Sequence, residues 1–426
     1  MSSETLATRW VAEAAALDAA DELAPLRAGF VLPRGAQGQP LVYLCGHSLG
    51  AAPREARRYV DEELDDWERL GVEGHHTARR PWIDYALQLK PALARLVGAA
   101  PREVVAMNGL TVNLHLLLAS FFRPSGARRC IVVEEGAFSS DRHAVQTQLA
   151  WHGLGPETLL EVGPAPGNDL VDEAQVEALL AARGADVALV LWPGVQYRTG
   201  QAFDLARVAR AAHRAGATCG LDLAHAVGNI PLALHDAGAD FAVWCGYKYL
   251  NGGPGALAGA FVHDRHFETP LARLGGWWGH DPDSRFRMEP GFRPADGADG
   301  WQLSNPPILS AAPLLASLAL FDAAGPERLR HKALALGDFL LAGLDAAFAA
   351  ELAVVTPRAA QARGCQLSLR VRAGAAAGRR LFAALTAAGI VADWREPDII
   401  RVAPVPLYNR FADVAALLLA LRHALS

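Results

Sequence analysis

Two charged side chains occupy positions where a buried strand has no structural use for them. In "GLDLAHAVGN", Asp222 lies inside an apolar strand, and His225 follows three residues later. An unpaired carboxylate there costs several kcal/mol, so it demands a cation, either a structural ion-pair partner or the positive charge of a ligand. In "AVWCGYKYLNGGPG", Lys248 ends a strand between Tyr247 and Tyr249, ahead of a glycine run. A lysine can snorkel out of a sheet to solvent, but a desolvated one is the amine that forms Schiff bases. A carboxylate on one strand and an amine 26 residues later on another describe a pyridoxal phosphate site. Asp222 would keep the pyridine nitrogen protonated, and Lys248 would hold pyridoxal 5'-phosphate (PLP) covalently as an aldimine.

A phosphate needs donors, and the chain offers them where Gly109 and Leu110 follow a short strand and Thr111 opens a helix. Free backbone N–H groups and the positive end of the helix dipole suit an anion there, although Thr111 could be no more than a helix cap. Farther on, "AFSSD" brings Phe138 and Asp141 to the sheet edge, Phe138 either as core or as an aromatic face over a flat ligand. Two other motifs fail in context. Gly46-His47-Ser48-Leu49-Gly50 matches the G-x-S-x-G elbow of serine hydrolases, yet only 45 residues precede it and Pro53 interrupts the helix that must follow. Gly253, Gly255 and Ala258 match the dinucleotide fingerprint, yet "ALAGAFVH" reads as a strand where that motif needs a helix.

A sheet must carry these side chains. "REVVAMN" (102–108), "RCIVVEE" (129–135), "DVALVLWPG" (186–194), "GATCGLDLAH" (216–225) and "ADFAVWCGYK" (239–248) are apolar strands. Helices over 111–122, from about Arg142, and in "DLARVARAAHRAG" separate them. Strand and helix alternating at this spacing predict an α/β fold with a mostly parallel sheet covered on both faces, its ligands beyond the carboxyl ends of the strands. After "SNPPILS" (304–310), Ala/Leu helices over about 311–323 and 326–350 lead to "CQLSLRV", another helix and "IIRVAPVPLYN", the pattern of a smaller α+β domain. The expected organisation is an N-terminal segment, 1–70, contributing to the small domain and the active-site entrance; a large PLP-binding domain, 71–310; and a C-terminal domain, 311–426.

Of 426 residues, 51% are hydrophobic and 20% charged, enough apolar chain for a substantial core. The formal net charge of -5 gives no electrostatic case for nucleic acid or an anionic membrane as partner. No run of 18 apolar residues and no signal-peptide start occur, so a cytoplasmic location is expected. Five scattered cysteines without a C-x-x-C pair, and no H-E-x-x-H, predict reduced thiols and no metal site.

The segments "GHHTARRPWI", "MNGLTVNLHLLL", "FSSD", "DLAHAVGNIPLALHDAGADFAVWCGYKYLNGGPG", "GGWWGHDPDSRFRM", "LSNPPI" and "IRVAPVPLYNRF" together resemble the kynureninase family of fold-type-I PLP enzymes across nearly the whole chain. The resemblance implies a mostly parallel seven-stranded sheet sandwiched by helices, plus a smaller α+β domain. It implies that Leu110 and Thr111 bind the phosphate side and that Phe138, Ser139, Ser140 and Asp141 border ring and phosphate. Asp222 would pair with the pyridinium, with His225 near the ring oxygen, while Tyr247 would reach the phosphate and relay a proton. Trp277 and Asn305 would complete the phosphate pocket from a partner subunit, so a homodimer with shared active sites is expected. Arg401 would clamp the substrate carboxylate, a bidentate task suited to guanidinium, and His75, Ser304 and Asn305 would face the aryl ring.

The chain departs from the family pattern at Pro193, where Ser or Thr is common, at Trp278 in place of the Phe of "GWFGH", and at His47 in place of the Asn of "GNSLG". These three would adjust substrate fit, Trp278 as a substrate-binding residue. The implied reaction is hydrolysis of L-kynurenine, or its 3-hydroxy form, to an anthranilate and L-alanine, within tryptophan catabolism and NAD biosynthesis. A class V aminotransferase or cysteine desulfurase-like lyase shares the Asp222–Lys248 core but has no use for "WWGH" and "SNPPI". A non-catalytic PLP-binding regulator is the further alternative.

Overall fold

Uninterrupted apolar strands cannot face water on either side, and such strands build the sheet at the centre of this chain. The computed structural model describes residues 3–425. Its large sheet comprises β1 (Val104–Ala106), β2 (Cys130–Glu134), β3 (Leu159–Val162), β4 (Val187–Pro193), β5 (Thr218–Asp222), β6 (Phe241–Trp244) and β7 (Gly259–Val262). They lie in the order β1-β7-β6-β5-β4-β2-β3. β7 runs antiparallel to both neighbours, and every other pair is parallel. β3, an edge strand with Glu161 facing solvent, has no apolar run and is not legible in the sequence.

One face of the sheet presents Val105, Ile131, Val133, Leu189 and Val243 to the helices Leu110–Phe121 and Ser139–Trp151. The other presents Val132, Val190 and Leu221 to a core that includes Val208, Leu250 and Leu314. Each fully buried Leu, Val or Phe here contributes about 1.5–3 kcal/mol. The helix expected from about Arg142 begins at Ser139, because Asp141 belongs to its first turn, where the helix dipole favours an acid.

The C-terminal sheet has β8 (Leu352–Val354), β9 (Leu367–Val371), β10 (Asp393–Arg395) and β11 (Ile399–Val402), ordered β8-β9-β11-β10 and antiparallel throughout. Its core takes Leu340, Leu381 and Leu418 from three helices, and also Trp10 and Ala14 from the N-terminal helix Ser3–Ala19. The Trp10 ring lies 6.1 Å from that of Phe348. Val42–Tyr43 pairs in parallel with Ile390–Val391, which draws the following loop toward the sheet ends. No single helix among the described residues is long and apolar enough to cross a membrane. Ile308–Ala324 and Pro326–Ala347 reach that composition only as a pair bent by 85°, and both bury core residues.

Candidate active site

Adjacent strands deliver the two charges that the sequence singles out. β5 ends on Asp222, and Lys248 follows β6 by four residues. The turn that carries Lys248 is tight: Asn251 N–H donates to the Lys248 carbonyl at 2.9 Å, and Gly252 N–H to that of Gly246, also at 2.9 Å. At Gly246 a Cβ would stand 2.1 Å from the Leu257 carbonyl oxygen, so only glycine fits. The loop of residues 45–50 lies over this turn, with Gly50 N–H donating to the Tyr247 carbonyl at 2.8 Å. Lys248 is thereby 8% exposed. Its Nζ donates to His225 Nε2 at 3.0 Å and stands 5.6 Å from the centre of the Phe138 ring.

A cavity of about 680 Å³, mouth included, brings together Leu110, Thr111, Phe138, Ser140, Asp141, Asp222, His225, Tyr247 and Lys248. Its electrostatics are one-sided. Asp222 accepts a hydrogen bond from Ala224 N–H at 2.8 Å. Burial, and then the neighbouring charge of Asp222, push the Asp141 carboxyl well above its usual range, and Asp141 Oδ1 has no partner. Burial also raises Glu134 to about 8. Burial first, then the charges of Lys248 and Arg401, hold the His225 ring neutral, its Nδ1 also without a partner. The Tyr247 phenol is raised by burial and by Cys245, so it keeps its proton.

Two helix starts line the same cavity. Gly109, not Thr111, is the cap residue of Leu110–Phe121, and no side chain caps its first turn. The Thr111 hydroxyl lies 2.7 Å from that of Ser140, in the first turn of Ser139–Trp151. Uncapped N–H groups beside two hydroxyls suit a phosphate. A flat ring carrying a positive charge, an aldehyde and a phosphate matches this donor set, with the partnerless Asp141 and His225 atoms lining its seat.

The remaining residues singled out in the sequence take other places. Arg401, on β11, is fully buried; it donates to the Tyr197 carbonyl at 2.6 Å, to the Asp393 carboxylate, and to Ser48 Oγ at 3.3 Å. Burial lowers it to about 10. His47, also fully buried, lies 3.4 Å from Asp393 and 6.5 Å, ring to ring, from His225, which links Arg401 to the cavity. Ser139 is exposed beside Ser140. Trp277 is 45% exposed against Phe286, and Ser304 and Asn305 are exposed; none of the three lines the cavity of its own chain. Trp278 is buried beneath the Arg285 guanidinium, and His75 packs edge-on against Trp82. Pro193 ends β4 opposite Asp222 and lines the cavity.

Glu134, Tyr197 and Asp393 stand in or beside this arrangement without having been marked by the sequence reading. Glu134 carries the same local signal as Asp222, an acid closing an apolar strand. Asp393 meets Arg401 only through the pairing of β10 with β11. Ser48 sits in a turn followed by the short strand Ala52–Pro53, with its hydroxyl donating to Asp393 at 2.8 Å, which is no nucleophile elbow. Gly253 and Gly255 precede β7, so the dinucleotide fingerprint also fails.

The architecture is that of the fold-type-I PLP-dependent enzymes. A solved structure of a C-DES mutant with glycine covalently linked to its PLP cofactor matches 89% of this chain and 96% of its own, with a TM-score of 0.75 at 21% identity. A cysteine desulfurase from Escherichia coli matches 95% and 98%, with a TM-score of 0.75 at 17% identity. Within that class the sequence relatives are narrower. A family model described as the kynureninase C-terminal domain matches residues 329–421. Kynureninases of Xanthomonas axonopodis pv. citri and Xanthomonas oryzae pv. oryzae are 57% and 58% identical, each over 95% of both chains. The chain belongs to the kynureninase family.

Proposed function

We propose that this chain hydrolyses the Cβ–Cγ bond of L-kynurenine, and of its 3-hydroxy form, to anthranilate or 3-hydroxyanthranilate and L-alanine, with PLP carried on Lys248. The observation that carries this reading is 57% identity to a kynureninase over 95% of the chain. The gathering of amine, carboxylates and imidazole in one buried cavity supports it. The C-S lyase and desulfurase structures share the fold at 21% identity or less, which favours neither chemistry here.

Bound here, PLP supplies an electron sink for charge developing at the substrate α-carbon. Asp222, fixed by the Ala224 N–H, would hold a proton on the ring nitrogen, and the neighbouring Asp141 carboxyl, pushed up by burial, would add no second negative charge. Lys248, steered by His225, would hold the cofactor and, as a free amine, would take the substrate α-proton. Arg401 receives the substrate carboxylate on its fork. Water adds to the γ-carbonyl, the Cβ–Cγ bond breaks, and the aryl acid leaves with the water oxygen. The Tyr247 phenol supplies the proton that Cβ takes up, so substrate plus water balances the two products.

The assembly we infer is a homodimer in which Trp277 and Asn305 reach the partner's cavity, in line with their exposure away from their own. The division at residues 71 and 311 rests on the N-terminal segment, which adds Trp10 to the C-terminal core and sets Gly50 on the Lys248 turn. Five unpaired thiols are in line with a cytoplasmic location, and tryptophan catabolism with a branch to NAD biosynthesis is the pathway read.

The test is product analysis with kynurenine, 3-hydroxykynurenine and cysteine, beside the absorbance spectrum of the purified protein. Wild type should release alanine and the aryl acid from both kynurenines. Lys248→Ala should lose the lysine-linked cofactor band and at least about 10²–10⁴-fold in turnover from the missing proton transfer. His75→Ala should weaken kcat/KM for the 3-hydroxy substrate more than for kynurenine. Alanine released from cysteine alone sinks the reading.

A further inference from the structure

Glu103, His235, His263 and Asp264 converge from three separate stretches of chain, away from the catalytic cavity. Glu103 stands just before β1, His235 in the short helix Leu234–Ala237 ahead of β6, and His263 and Asp264 directly after β7. Because β7 is antiparallel to β1 and β6, all four lie at the amino ends of β1 and β6, whereas Lys248 follows the carboxyl end of β6.

We propose that these four side chains bind a divalent transition-metal ion of the zinc class, through two imidazole nitrogens and two carboxylate oxygens. One donor atom from each lies within 4.8 Å of the other three. Glu103 Oε1 is 2.8 Å from His235 Nδ1 and 3.8 Å from His263 Nδ1, which is itself 3.0 Å from Asp264 Oδ1. A tetrahedral shell with bonds of about 2.0–2.2 Å has edges of about 3.3–3.6 Å, so these separations bracket the one required. Mixed nitrogen and oxygen donors suit zinc and its neighbours over magnesium or calcium, which take oxygen.

Within the protein alone, His263 Nδ1 is the crowded atom of the cluster. An imidazole nitrogen offers a single in-plane position, as donor or as acceptor. That position faces the Arg265 N–H at 3.3 Å as well as two carboxylate oxygens. With the ring accepting from Arg265, the two carboxylate contacts set lone pair against lone pair, and a cation between them turns both attractive. The Arg265 guanidinium does not fill the role, because it turns away to the Gly238 and Ala239 carbonyls and to Asp240.

The supporting shell is already in place. Glu103 is fully buried, with Oε2 accepting from Ala100 N–H at 2.8 Å and Oε1 from Asp264 N–H at 3.1 Å. The two imidazoles stack at 4.7 Å. His235 and Asp264, with side chains 44% and 43% exposed, leave an ion a path from solvent. An ion here would tie the starts of β1 and β6 to the end of β7, stabilising the folded chain without entering the reaction.

The experiment uses tag-free holoenzyme, stripped with a chelator and titrated with Zn²⁺ against a chromophoric competitor while thermal unfolding is followed. Wild type should bind an equivalent that raises its Tm. His235→Gln and Asp264→Asn should each weaken that equivalent at least about tenfold, and the pair His235→Gln/His263→Gln should abolish it, with kcat/KM unchanged. Cobalt(II) in its place should show the visible bands of a tetrahedral site, lost in the same variants. No bound equivalent in wild type, or equal affinity and stoichiometry in wild type and variants, overturns the proposal. Asp264→Asn, at a solvent-facing side chain, keeps the result decisive should the histidine variants fold poorly.

Discussion

Arg401 is fully buried, and its guanidinium is shared among the Tyr197 carbonyl, the Asp393 carboxylate and the Ser48 hydroxyl. A lysine at this position would keep the charge and lose the planar fork. At about 2 kcal/mol for a charge-assisted hydrogen bond, Arg401→Lys should raise KM about thirty-fold and leave kcat nearly unchanged, as steady-state kinetics will read. Glu134 tests the low dielectric of the cavity in another way. Its ordinary value of 4.5 is raised to about 8 by burial, so the folded chain holds a proton that the unfolded chain releases. Its contribution to stability is therefore complete below pH 4.5, is lost as pH rises through 8, and then levels off. Urea unfolding of cofactor-free protein should show wild type losing up to about 1.4 kcal/mol per pH unit relative to Glu134→Gln over that window. A pH-independent difference would place Glu134 in contact with water.

Loop on turn is the element contact that sets Lys248. A Cβ on Gly50 would lie 2.4 Å from the Lys248 carbonyl oxygen and 2.6 Å from Asn251 Cα, both backbone atoms that cannot swing aside. Gly50→Ala should therefore cost about 1–3 kcal/mol of stability in denaturant melts, with a larger fractional loss of kcat than a control at the exposed Val72, Val72→Ala. The same loop shows how far a motif can be read without its elements. "GHSLG" satisfies the hydrolase pattern in letters, but a turn between two short strands holds Ser48 against a carboxylate. The start of Ser139–Trp151 is the opposite case, since the acid of its first turn is a signal already present in "SSD".

For the assembled enzyme, the placing of Trp277 and Asn305 outside the cavity of their own chain bears on subunit exchange. If a partner supplies them, Lys248→Ala and Asn305→Ala damage different contributions to one site. Mixing the two inactive variants should then restore about a quarter of wild-type activity, because half the dimers are hybrids and each hybrid rebuilds one of two sites. A mixture no more active than its parents would make each cavity self-sufficient. The N-terminal helix matters at this level too, since Trp10 and Ala14, with Leu44, fill a core otherwise built from residues 336–421.

Asp222 and Lys248 were legible in the chain because their signal is local: a charge inside or at the end of an apolar run stands out against a few neighbours. The five apolar strands were legible for the same reason, and so was the helix after Gly109, read from Thr111 and starting at Leu110. The pairing of Arg401 with Asp393, the hydroxyl of Ser48 reaching across 353 residues to Arg401, and the convergence of Glu103 with His235 and His263 were not. Those contacts follow from strand register and from which segments the sheets lay side by side. That choice depends on the free energy of packing the chain as one body, and no short stretch of residues carries it.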